Sequence, residues 1–503
     1  MIKSVLDYLE NTAELYGEKE AYIDENRAIT FGELRSDAQR IATGLLTEAG
    51  IGTPVVVYMD KCVECIEGFF GVSYTGAFYV PIDISMPYAR VKLIMDTLEA
   101  KVVLTRRRDE IPEEVKEAYH VYYIEDLLQI QEINTGELAR RNRARIDQDP
   151  IYALFTSGST GVPKGVLISQ RSVINFMEWL CETLAITEDE VFANQAPFYF
   201  DASVKDIYAT LKSGATMYIV PKKLFSLPAQ LVRFLNEKKI TCIEWVPSVL
   251  CMIANFRTLE KVKPEYLKKV TFFGEVMPAK QLNVWRRALP DVQFVNLYGP
   301  TEATVDCTYY KVEREFADDE PIPIGFACEN TDVILLDEND RMVGEDEIGE
   351  ICIRGCSLAL GYFNNQEKTD EAFRENPLQK SYRERIYRTG DLGKYNQYGE
   401  IVFLARKDSQ VKHMGHRIEL GEIETAISSM EQIERVCCIF DQASQKIIAV
   451  YKGEIEAKEM TEKLKDKLPR YMLPNIYDRV SDMPENLNGK IDRAALKDKY
   501  VNI

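Results

Sequence analysis

The sequence is poor in histidine and has no long apolar run, and both absences narrow what the chain can do. Only His120, His413 and His416 occur among the 503 residues, so neither a histidine-based catalytic triad nor a histidine-rich metal site is expected. No stretch approaches the roughly 18 consecutive apolar residues of a membrane helix, so no membrane span is predicted. The amino-terminal segment is acidic and amphipathic, and it lacks the charged-then-apolar layout of a signal peptide.

The chain is acidic, and its cysteines follow no framework. A formal net charge of -18 repels nucleic acid and anionic membrane surfaces as a whole, so neither is an expected partner. The eleven cysteines are odd in number and scattered. That pattern is typical of buried, reduced thiols in a cytoplasmic protein and not of a secreted disulfide scaffold. Cys62 and Cys65 form a CxxC in an apolar stretch, but no second pair lies at zinc spacing.

Strand and helix patterns alternate along most of the chain. Short β-branched runs such as VVVYM (55–59) and KVVLT (101–105) alternate with helical patterns, which predicts layered α/β architecture with substantial parallel sheet. Short strands separated by turn residues dominate 320–405. A compact α+β pattern follows the charged stretch LARKDSQ (404–410). The predicted fold class is α/β, with a large amino-terminal domain, a β-rich subdomain and a small, mobile carboxy-terminal α+β domain.

The most distinctive local feature is a loop rich in glycine and hydroxyl groups, TSGSTGVPKG at 156–165. It follows an apolar strand and combines backbone N–H groups, hydroxyls and Lys164. Such a loop can wrap phosphate oxygens while the lysine supplies a positive charge. A Walker loop requires Ser or Thr after the lysine, and Gly165 stands there instead. From these residues alone, a phosphate-binding loop and an ordinary polar surface loop both remain open.

Two further segments place polar side chains beside a turn. NLYGPTE at 296–302 follows an apolar run, and its Gly-Pro pair predicts a turn at a strand end, where α/β proteins bind ligands. There Tyr298 offers a stacking face, Asn296 can contact an amino edge, and Glu302 can ligate Mg2+. In YRTGDL, Asp391 is expected at a strand–turn junction, where one carboxylate can accept both hydroxyl protons of a ribose. Taken alone, an ordinary loop or a structural aspartate would explain each segment.

Together these motifs resemble those of the adenylate-forming superfamily, which includes acyl-CoA synthetases, luciferases and the adenylation domains of nonribosomal peptide synthetases. TSGSTGVPKG, YGPTE, YRTGDL, LARKDSQVKHMGHRIELGEIE and NLNGKIDR occur in the family's order and spacing, and the resemblance extends from about residue 10 to 498. FDAS (200–203), RIELGEIE and NGKIDR resemble the amino-acid-activating branch. FFGEVMP (272–278) resembles D-alanine–carrier protein ligases. The chain is therefore expected to be a free-standing amino-acid adenylation enzyme.

The resemblance implies ATP and Mg2+ as cofactors and assigns residues to the nucleotide. Asn296 and Tyr298 are implied to contact adenine, and Asp391 and Arg406 to hold the ribose. The residues implied to hold the β- and γ-phosphates are Thr156, Ser157, Gly158, Ser159, Thr160, Gly161 and Lys164.

The resemblance also assigns the catalytic residues. Thr301 and Glu302 are implied to handle the α-phosphate and the metal. Lys490 is the implied catalytic lysine, which bridges the substrate carboxylate and the α-phosphate as negative charge develops. No proton shuttle is required, because the substrate carboxylate is itself the nucleophile. Catalysis is then expected to depend on positioning and charge neutralisation.

The family's domain organisation implies a rotation between two half-reactions. It predicts an ATP- and substrate-binding domain at 1–405, a hinge at 406–408 that includes Asp408, and a lid domain at 409–503. After adenylation the lid is expected to turn about Asp408 and form a thiol channel along its GHRIELGE segment. The sequence contains neither a carrier-protein segment nor a condensation motif HHxxxDG. The expected acceptor is therefore the phosphopantetheine thiol of a separate carrier protein, with coenzyme A as the alternative.

The expected substrate is a small-molecule amino acid. By resemblance, a buried Asp201 pairs with its ammonium group, which would disfavour an aliphatic acid. The residues that the family alignment assigns to the side-chain pocket are Ala202, Lys205, Glu244, Thr271, Phe273, Leu297, Val305 and Asp306. Lys205 with acids at Glu244 and Asp306 resembles the glutamate-selecting pattern, in which the lysine pairs the γ-carboxylate. Phe273 departs from that pattern, and its bulk would shorten the pocket.

Several alternatives stay open. The substrate is expected to be polar or acidic, with glutamate favoured and D-alanine second. If Lys205, Glu244 and Asp306 satisfy one another, they leave only a polar wall for a small side chain. An acyl-CoA synthetase acting on a non-amino acid is the first alternative function, and Asp201 argues against it. A non-catalytic nucleotide-binding regulator is the second, and the filled catalytic positions argue against that.

Overall fold

The structure of the chain is a computed structural model that divides into two units. It describes residues 2–107, 109, 111–158, 162–407, 410–484 and 491–501. The first unit contains the residues up to Ile84, Leu98–Leu154 and Val166–Lys407. The second contains Ser85–Thr97, the described part of Phe155–Gly165 and the described residues after Lys407.

Five residues that the sequence singles out lie outside this description. They are Ser159, Thr160 and Gly161 of the phosphate loop, the hinge residue Asp408 and the catalytic lysine Lys490. Their roles stay predictions, as do the domain boundaries at 405 and 409. The other site residues named above all lie in described segments.

Helices occur in both units. In chain order they are α1 (Val5–Leu15), α2 (Phe31–Leu45), α3 (Val63–Thr75), α4 (Tyr88–Leu98), α5 (Glu113–Ala118), α6 (Ile124–Leu127), α7 (Thr135–Ala144), α8 (Gln170–Thr183), α9 (Ala202–Ser213), α10 (Pro228–Glu237), α11 (Pro247–Asn255), α12 (Ala279–Ala288), α13 (Gln366–Ala372), α14 (Leu420–Ser428), α15 (Ala457–Lys465) and α16 (Arg493–Val501). Single 3-10 turns occupy Lys222–Ser226, Thr258–Glu260, Thr301–Ala303 and Arg470–Met472. No helix among the described residues is long and apolar enough to cross a membrane.

The first two helices begin where the sequence supplies a capping box. At α1, the Ser4 hydroxyl accepts a hydrogen bond from the Leu6 N–H at 3.2 Å, and the Asp7 carboxylate accepts one from the Ser4 N–H at 3.3 Å. At α2, Thr30 and Glu33 make the same reciprocal pair at 3.2 and 2.9 Å. These bonds satisfy N–H groups that a helix start leaves without partners.

The strands form three larger sheets and two smaller ones. In chain order they are β1 (Glu20–Ile23), β2 (Ala28–Thr30), β3 (Pro54–Tyr58), β4 (Phe78–Ile82), β5 (Val102–Thr105), β6 (His120–Tyr123), β7 (Pro150–Thr156), β8 (Lys164–Ser169), β9 (Val191–Asn194), β10 (Thr216–Ile219), β11 (Cys242–Trp245), β12 (Lys269–Phe272), β13 (Gln293–Tyr298), β14 (Thr308–Lys311), β15 (Phe326–Ala327), β16 (Thr331–Leu336), β17 (Gly349–Gly355), β18 (Gly361–Tyr362), β19 (Phe373–Glu375), β20 (Arg385–Tyr395), β21 (Ile401–Arg406), β22 (Gln410–His413), β23 (His416–Glu419), β24 (Ile433–Asp441), β25 (Lys446–Gly453) and β26 (Ile476–Arg479).

The largest sheet positions most of the site. It has nine strands in the order β15-β14-β13-β12-β11-β9-β10-β1-β2, and the run from β13 to β1 is parallel. A seven-stranded sheet has the order β18-β8-β7-β4-β3-β5-β6. The core of the first unit includes the fully buried Trp245 and Trp285. Parallel strands end at one edge, so the loops after β11, β12 and β13 come together there.

The remaining sheets match the predicted β-rich and α+β regions. β16, β17, β20, β19 and β21 form an antiparallel sheet within the stretch that the sequence predicts to be mainly β. In the second unit, β24, β25 and β26 form a three-stranded sheet that packs with α14, and β22 pairs with β23. The predicted α/β fold with a β-rich subdomain and an α+β carboxy-terminal part is confirmed.

Candidate active site

The parallel strands of the nine-stranded sheet sort the assigned residues onto two faces. Glu244 in β11 and Thr271 in β12 are direct partners in register, so their side chains point to the same face. Leu297 in β13 lies two residues beyond the partner of Thr271 and shares that face. Asn296 and Tyr298 alternate with it and point to the other face. The residues assigned to the amino acid and those assigned to adenine therefore occupy opposite faces of β13.

Asp391 is the centre of a buried hydrogen-bonded cluster. Its Oδ2 accepts from the Tyr298 hydroxyl at 2.5 Å, and its Oδ1 accepts from the Arg406 guanidinium at 2.5 Å. Asp391 and Arg406 are cross-strand partners in β20 and β21. Burial and the neighbouring Asp391 raise the pKa of Tyr298 well above its usual range, so this hydroxyl keeps its proton and donates. The residues assigned to the ribose and the adenine-side tyrosine are thus brought together.

The expected strand–turn junction at Asp391 is wrong. Asp391 lies inside β20, a strand of eleven residues. The strand bends there, because Gly390 has a φ of 74° and the register with β21 shifts between Leu392 and Gly393. Glycine tolerates this left-handed conformation, so the sequence signal GD marks a bulge inside a strand and not its end.

The YGPTE segment turns at the end of β13, as predicted, and places Thr301 and Glu302 at the carboxyl edge of the sheet. The Thr301 hydroxyl donates to Asp201 Oδ2 at 2.6 Å. Asp201 stands directly before α9 and is half-buried, whereas the sequence analysis expected it to be buried. A half-buried carboxylate at this position can still be reached by a substrate ammonium.

Glu302 is fully buried, and its Oε1 accepts from the Tyr362 hydroxyl at 2.7 Å. A Mg2+ ion that bridges ATP phosphates takes one or two protein carboxylates and fills its other positions with phosphate oxygens and water. One oriented carboxylate is therefore sufficient, and Glu302 fits this requirement. Tyr362 would act behind the metal by orienting that carboxylate.

The backbone after this turn is strained. Thr304 and Val305 have φ values of 53° and 74°, which β-branched residues rarely adopt. The Thr304 hydroxyl donates to the Ser357 carbonyl at 2.6 Å and holds the turn in place. Such strain, about 1–3 kcal/mol for each residue, is concentrated at functional sites. Here it sets the path of the chain into Asp306.

Three residues assigned to the side-chain pocket contact one another. Lys205 Nζ donates to Asp306 Oδ2 at 2.9 Å and lies 3.0 Å from the centre of the Phe273 ring. Lys205 is fully buried, and Asp306 and Phe273 are nearly so. The lysine charge is therefore paired with a carboxylate and covered by an aromatic face. Ala202, three residues before Lys205, is also buried. Val305, which directly precedes Asp306, is buried as well.

The same region contains polar atoms that no described residue satisfies. Both carboxylate oxygens of Glu244, Oδ1 of Asp206 and the Thr271 hydroxyl are buried without a hydrogen-bond partner among the described residues. Burial first, and then the charge of Asp206, raise the pKa of Glu244 well above its usual range. Burial raises the pKa of Asp206 to about 6, against the opposing effect of Lys205 and Lys61. A Glu244 that keeps its proton can donate it towards Asp206, so the two carboxyl groups can share one proton.

The phosphate loop belongs to the second unit. The Thr156 hydroxyl is buried and has no partner among the described residues. The Ser157 hydroxyl donates to the Arg417 carbonyl at 3.0 Å and accepts from the Glu419 N–H at 3.1 Å. A side chain at Gly158 would place its Cβ 2.0 Å from the Val162 carbonyl oxygen. Only glycine therefore fits at position 158 beside the Val162 carbonyl.

Sequence reasoning missed four residues that support the site. Tyr362 orients Glu302, and Asp206, Asn194 and Lys61 form a polar chain next to Lys205. Asp206 could have been noticed, since two adjacent charges in the otherwise apolar run ASVKDIYA are unusual for a buried helix. For the other three the sequence carries no local signal, because their partners are distant along the chain.

None of the eleven cysteines is in a disulfide, and nine are buried. Cys62 and Cys65 are both buried, and burial raises the pKa of each thiol, so neither is a reactive thiolate. Cys251 is half-buried and Cys356 is exposed. The expectation of buried thiols is therefore wrong for Cys356.

Comparison with known proteins identifies the family and the fold of the chain. Residues 9–363 match the family of AMP-binding enzymes. The chain is 33% identical to tyrocidine synthase 1 of Brevibacillus parabrevis over 98% of its own length and 45% of that protein. It is 30% identical to a D-alanine–D-alanyl carrier protein ligase of Bacillus licheniformis over 99% of both chains. Holo-PA1221, described as an NRPS protein with adenylation and PCP domains, has the same fold, with a TM-score of 0.85, 24% identity and coverage of 99% and 84% of the two chains.

The chain spans less than half of tyrocidine synthase 1 but nearly all of the carrier protein ligase. The family match covers more than half of the chain and includes the residues from the phosphate loop to Tyr362. ATP is the nucleotide that this family implies. The chain belongs to the AMP-binding enzyme family and is an adenylate-forming ligase of the type found in nonribosomal peptide synthetase adenylation domains and D-alanine–carrier protein ligases.

Proposed function

We propose that this ligase activates an amino acid as its aminoacyl-AMP and then transfers it to the phosphopantetheine thiol of a separate carrier protein. The observation that carries the proposal is Asp201. Its carboxylate is half-buried at the carboxyl edge of the sheet and is held by the Thr301 hydroxyl at 2.6 Å. A carboxylate fixed there suits a substrate ammonium and is unfavourable for an aliphatic acid.

In the first half-reaction the substrate carboxylate attacks the α-phosphorus of ATP, and pyrophosphate leaves. Asn296 and Tyr298 would receive the adenine, and Asp391 with Arg406 the ribose hydroxyls. Thr301 lies next to Asp201 and would contact the α-phosphate. Because the nucleophile is already ionised, the protein's task is to align two anions and neutralise their charge.

Mg2+ would supply charge neutralisation on the phosphates, with Glu302 as its protein ligand. Lys490 would add a positive charge that stabilises the negative charge developing on the α-phosphate as it becomes pentavalent. The β- and γ-phosphates would lie in the 156–164 loop, where glycine at 158 allows close approach and the Thr156 hydroxyl has no partner among the described residues. Removal of the metal is expected to stop the reaction without unfolding the chain.

In the second half-reaction a carrier thiol replaces AMP on the activated acyl group. The matched relative is named a D-alanine–D-alanyl carrier protein ligase, which supports a carrier protein as the acceptor. Asp408 is proposed as the hinge for the change between half-reactions, and the cytoplasm as the site of action. Coenzyme A remains the alternative acceptor, in which case the enzyme would be like an acyl-CoA synthetase.

Within this function, the side chain of the substrate is proposed to be polar or acidic, with glutamate as the first candidate. Lys205 would pair the γ-carboxylate, and Asp306, which accepts from Lys205 Nζ at 2.9 Å, would orient the lysine. Glu244 and Thr271 also present buried polar atoms that no described residue satisfies and that a polar substrate could pair with. An acidic side chain must compete with Asp306 for Lys205 and displace the Phe273 ring.

A small amino acid such as D-alanine is the second candidate, and Phe273 favours it. The ring covers Lys205 Nζ at 3.0 Å from its centre and would leave only a short pocket above it. The likeness to a D-alanine–D-alanyl carrier protein ligase over 99% of both chains points the same way. In that arrangement Lys205, Glu244 and Asp306 form a charged layer that the substrate does not touch.

ATP–pyrophosphate exchange across a panel of amino acids and their deaminated analogues tests the proposal. We expect exchange with at least one amino acid and none with its deaminated analogue, and Asp201→Ala should abolish that distinction. Exchange with deaminated acids alone would refute the amino-acid assignment. Lys205→Met separates the candidates, because it should abolish glutamate activation and leave D-alanine activation intact. Thioester formation on a carrier protein, compared with coenzyme A, identifies the acceptor.

A further inference from the structure

A lysine outside the assigned site holds the main chain that leads into it. Lys61 lies between β3 and α3 and is half-buried. Its Nζ donates to the Asn194 side-chain oxygen at 3.0 Å and to the carbonyls of Asn194, Gln195 and Ala196 at 3.3, 3.1 and 3.4 Å. Three consecutive carbonyls on one ammonium fix the turn that ends β9. The side chain thus ties one sheet to the end of a strand in another.

Asn194 links Lys61 to α9, the helix that contains Lys205. Its Nδ2 donates to Asp206 Oδ2, and both residues are fully buried. An amide that accepts from Lys61 and donates to Asp206 has one orientation only, because a flipped amide would face each partner with the wrong atom. The chain Lys61–Asn194–Asp206 is therefore directional.

Asp206 in turn contacts the groups of the side-chain pocket. It follows Lys205 in α9, and, after burial, its charge contributes to the raised pKa of Glu244. Lys61 and Lys205 are the two cations that stabilise its charge. The charge of such a buried carboxylate depends on both lysines and on the neighbouring carboxyl group, so the loss of any one of them should disturb it.

The segment between Asn194 and α9 contains Asp201, the proposed partner of the substrate ammonium. β9 ends at Asn194, and α9 begins at Ala202. Seven residues, 195–201, connect them, and Asp201 is the last. One end of this segment is held by Lys61, and the other is held by the Asp201–Thr301 hydrogen bond and by α9.

We infer that Lys61 is a positioning residue for the amino-acid half of the site, which it serves by holding the 195–201 segment and, through Asn194, the Asp206 carboxylate beside Lys205. Among the described residues, its hydrogen bonds go to Asn194, Gln195 and Ala196, and none of these is assigned to ATP. Its effect is therefore confined to the amino acid, and the affinity for ATP is independent of it. This inference rests on the proposed function, since it concerns recognition of an amino acid.

The test is steady-state ATP–pyrophosphate exchange with the full chain and the best amino acid of the panel. Lys61→Met should raise the KM for the amino acid about tenfold, as expected for loss of hydrogen bonds from a charged group, and leave the KM for ATP within about twofold. Lys61→Arg should restore most of the loss, because it keeps the charge and the donors. Lys368→Met is the matched control, since Lys368 pairs with Glu371 on α13 away from this chain of contacts, and it should change neither constant.

Asp206→Asn gives a second test that preserves shape, should Lys61→Met fold poorly. It should also raise the KM for the amino acid alone. In the double variant Lys61→Met/Asp206→Asn, the effects should be less than additive, because both act through one chain of contacts. Equal rises in both KM values, full additivity, or no change would overturn the inference. A wild-type enzyme that shows no exchange with any amino acid would instead refute the proposed function.

Discussion

Asp391 and Glu244 are buried carboxyl groups in the same unit, yet their surroundings are opposite. Both oxygens of Asp391 receive a donor, one from Tyr298 and one from Arg406, each at 2.5 Å. Neither oxygen of Glu244 receives a donor from a described residue, and its acidic neighbour Asp206 can bond it only by sharing a proton. Both oxygens of Asp391 therefore accept a hydrogen bond before any ligand binds. The oxygens of Glu244 accept none from a described residue.

The difference follows from what each cluster has to recognise. A ribose is the same in every turnover, so a carboxylate held by two fixed donors presents a constant surface to it. A side-chain pocket distinguishes one amino acid from another, and unsatisfied polar atoms reject ligands that cannot pair with them. The same acid-to-amide change should therefore have opposite effects in the two clusters.

Lys490→Ala should have the largest effect, because it removes the positive charge proposed to act on the α-phosphate in the transition state. Loss of one donor to the transition state is worth roughly 3–4 kcal/mol, so pyrophosphate exchange should fall by about two to three orders of magnitude. ATP binding and thermal unfolding should be nearly unchanged. A loss of less than about tenfold would contradict the role of Lys490.

Asp391→Asn should weaken the organised cluster. The amide still accepts from Tyr298, but the charged hydrogen bond with Arg406 is lost, which should lower the free energy of unfolding by about 2 kcal/mol. The KM for ATP should rise, while the order of preference among amino acids stays the same. Chemical denaturation and exchange kinetics measure both effects. A change in amino-acid preference would show that the two clusters are not independent.

Glu244→Gln should raise the free energy of unfolding by about 1 kcal/mol at pH 8, because the amide donates to Asp206 without taking up a proton. Between the usual carboxyl pKa of about 4.3 and the raised pKa of Glu244 in the folded state, folding binds a proton. Stability therefore falls as pH rises through this window. The gain from glutamine should shrink towards pH 5 and disappear below it. A variant that is less stable than wild type at pH 8 would contradict the shared proton.

The smallest predicted effect concerns pH and Lys61. Burial lowers the pKa of Lys61 to about 7, and Asp206, Lys222 and Asp83 are the charged groups that face it. Between pH 6 and 8 the Lys61 ammonium loses its charge and one N–H donor. The KM for the amino acid should therefore rise by about threefold, a smaller effect than the loss of a complete hydrogen bond would have. Lys61→Arg stays charged throughout and should give a flat profile. Asp206 is present in both proteins, so an equal slope in both would assign the effect to Asp206.

Local sequence patterns predicted the strands and turns that carry the site more accurately than they predicted the geometry of the site. The turn after β13 lies where the Gly-Pro pair predicted it, and β7 ends and β8 begins on either side of the glycine-rich run, because such residues restrict the backbone locally. The position of Asp391 was wrong, since a glycine at positive φ serves a bulge as well as a turn. The half-buried state of Asp201 depends on Thr301, one hundred residues away, and no local pattern reports it.

By itself the sequence determined the fold class and the family, because these depend on alternating patterns and on motifs that are contiguous in the chain. The residues that those motifs assign to ATP stay predictions. Only the tertiary structure decided which charges meet. Lys205 and Asp306 are separated by 101 residues, and Lys61 and Asn194 by 133. Whether a buried lysine faces a ligand or is already paired depends on the packing of distant strands and helices. In this chain that packing joins Lys205 to Asp306 under the Phe273 ring, and it leaves Glu244 with open acceptors.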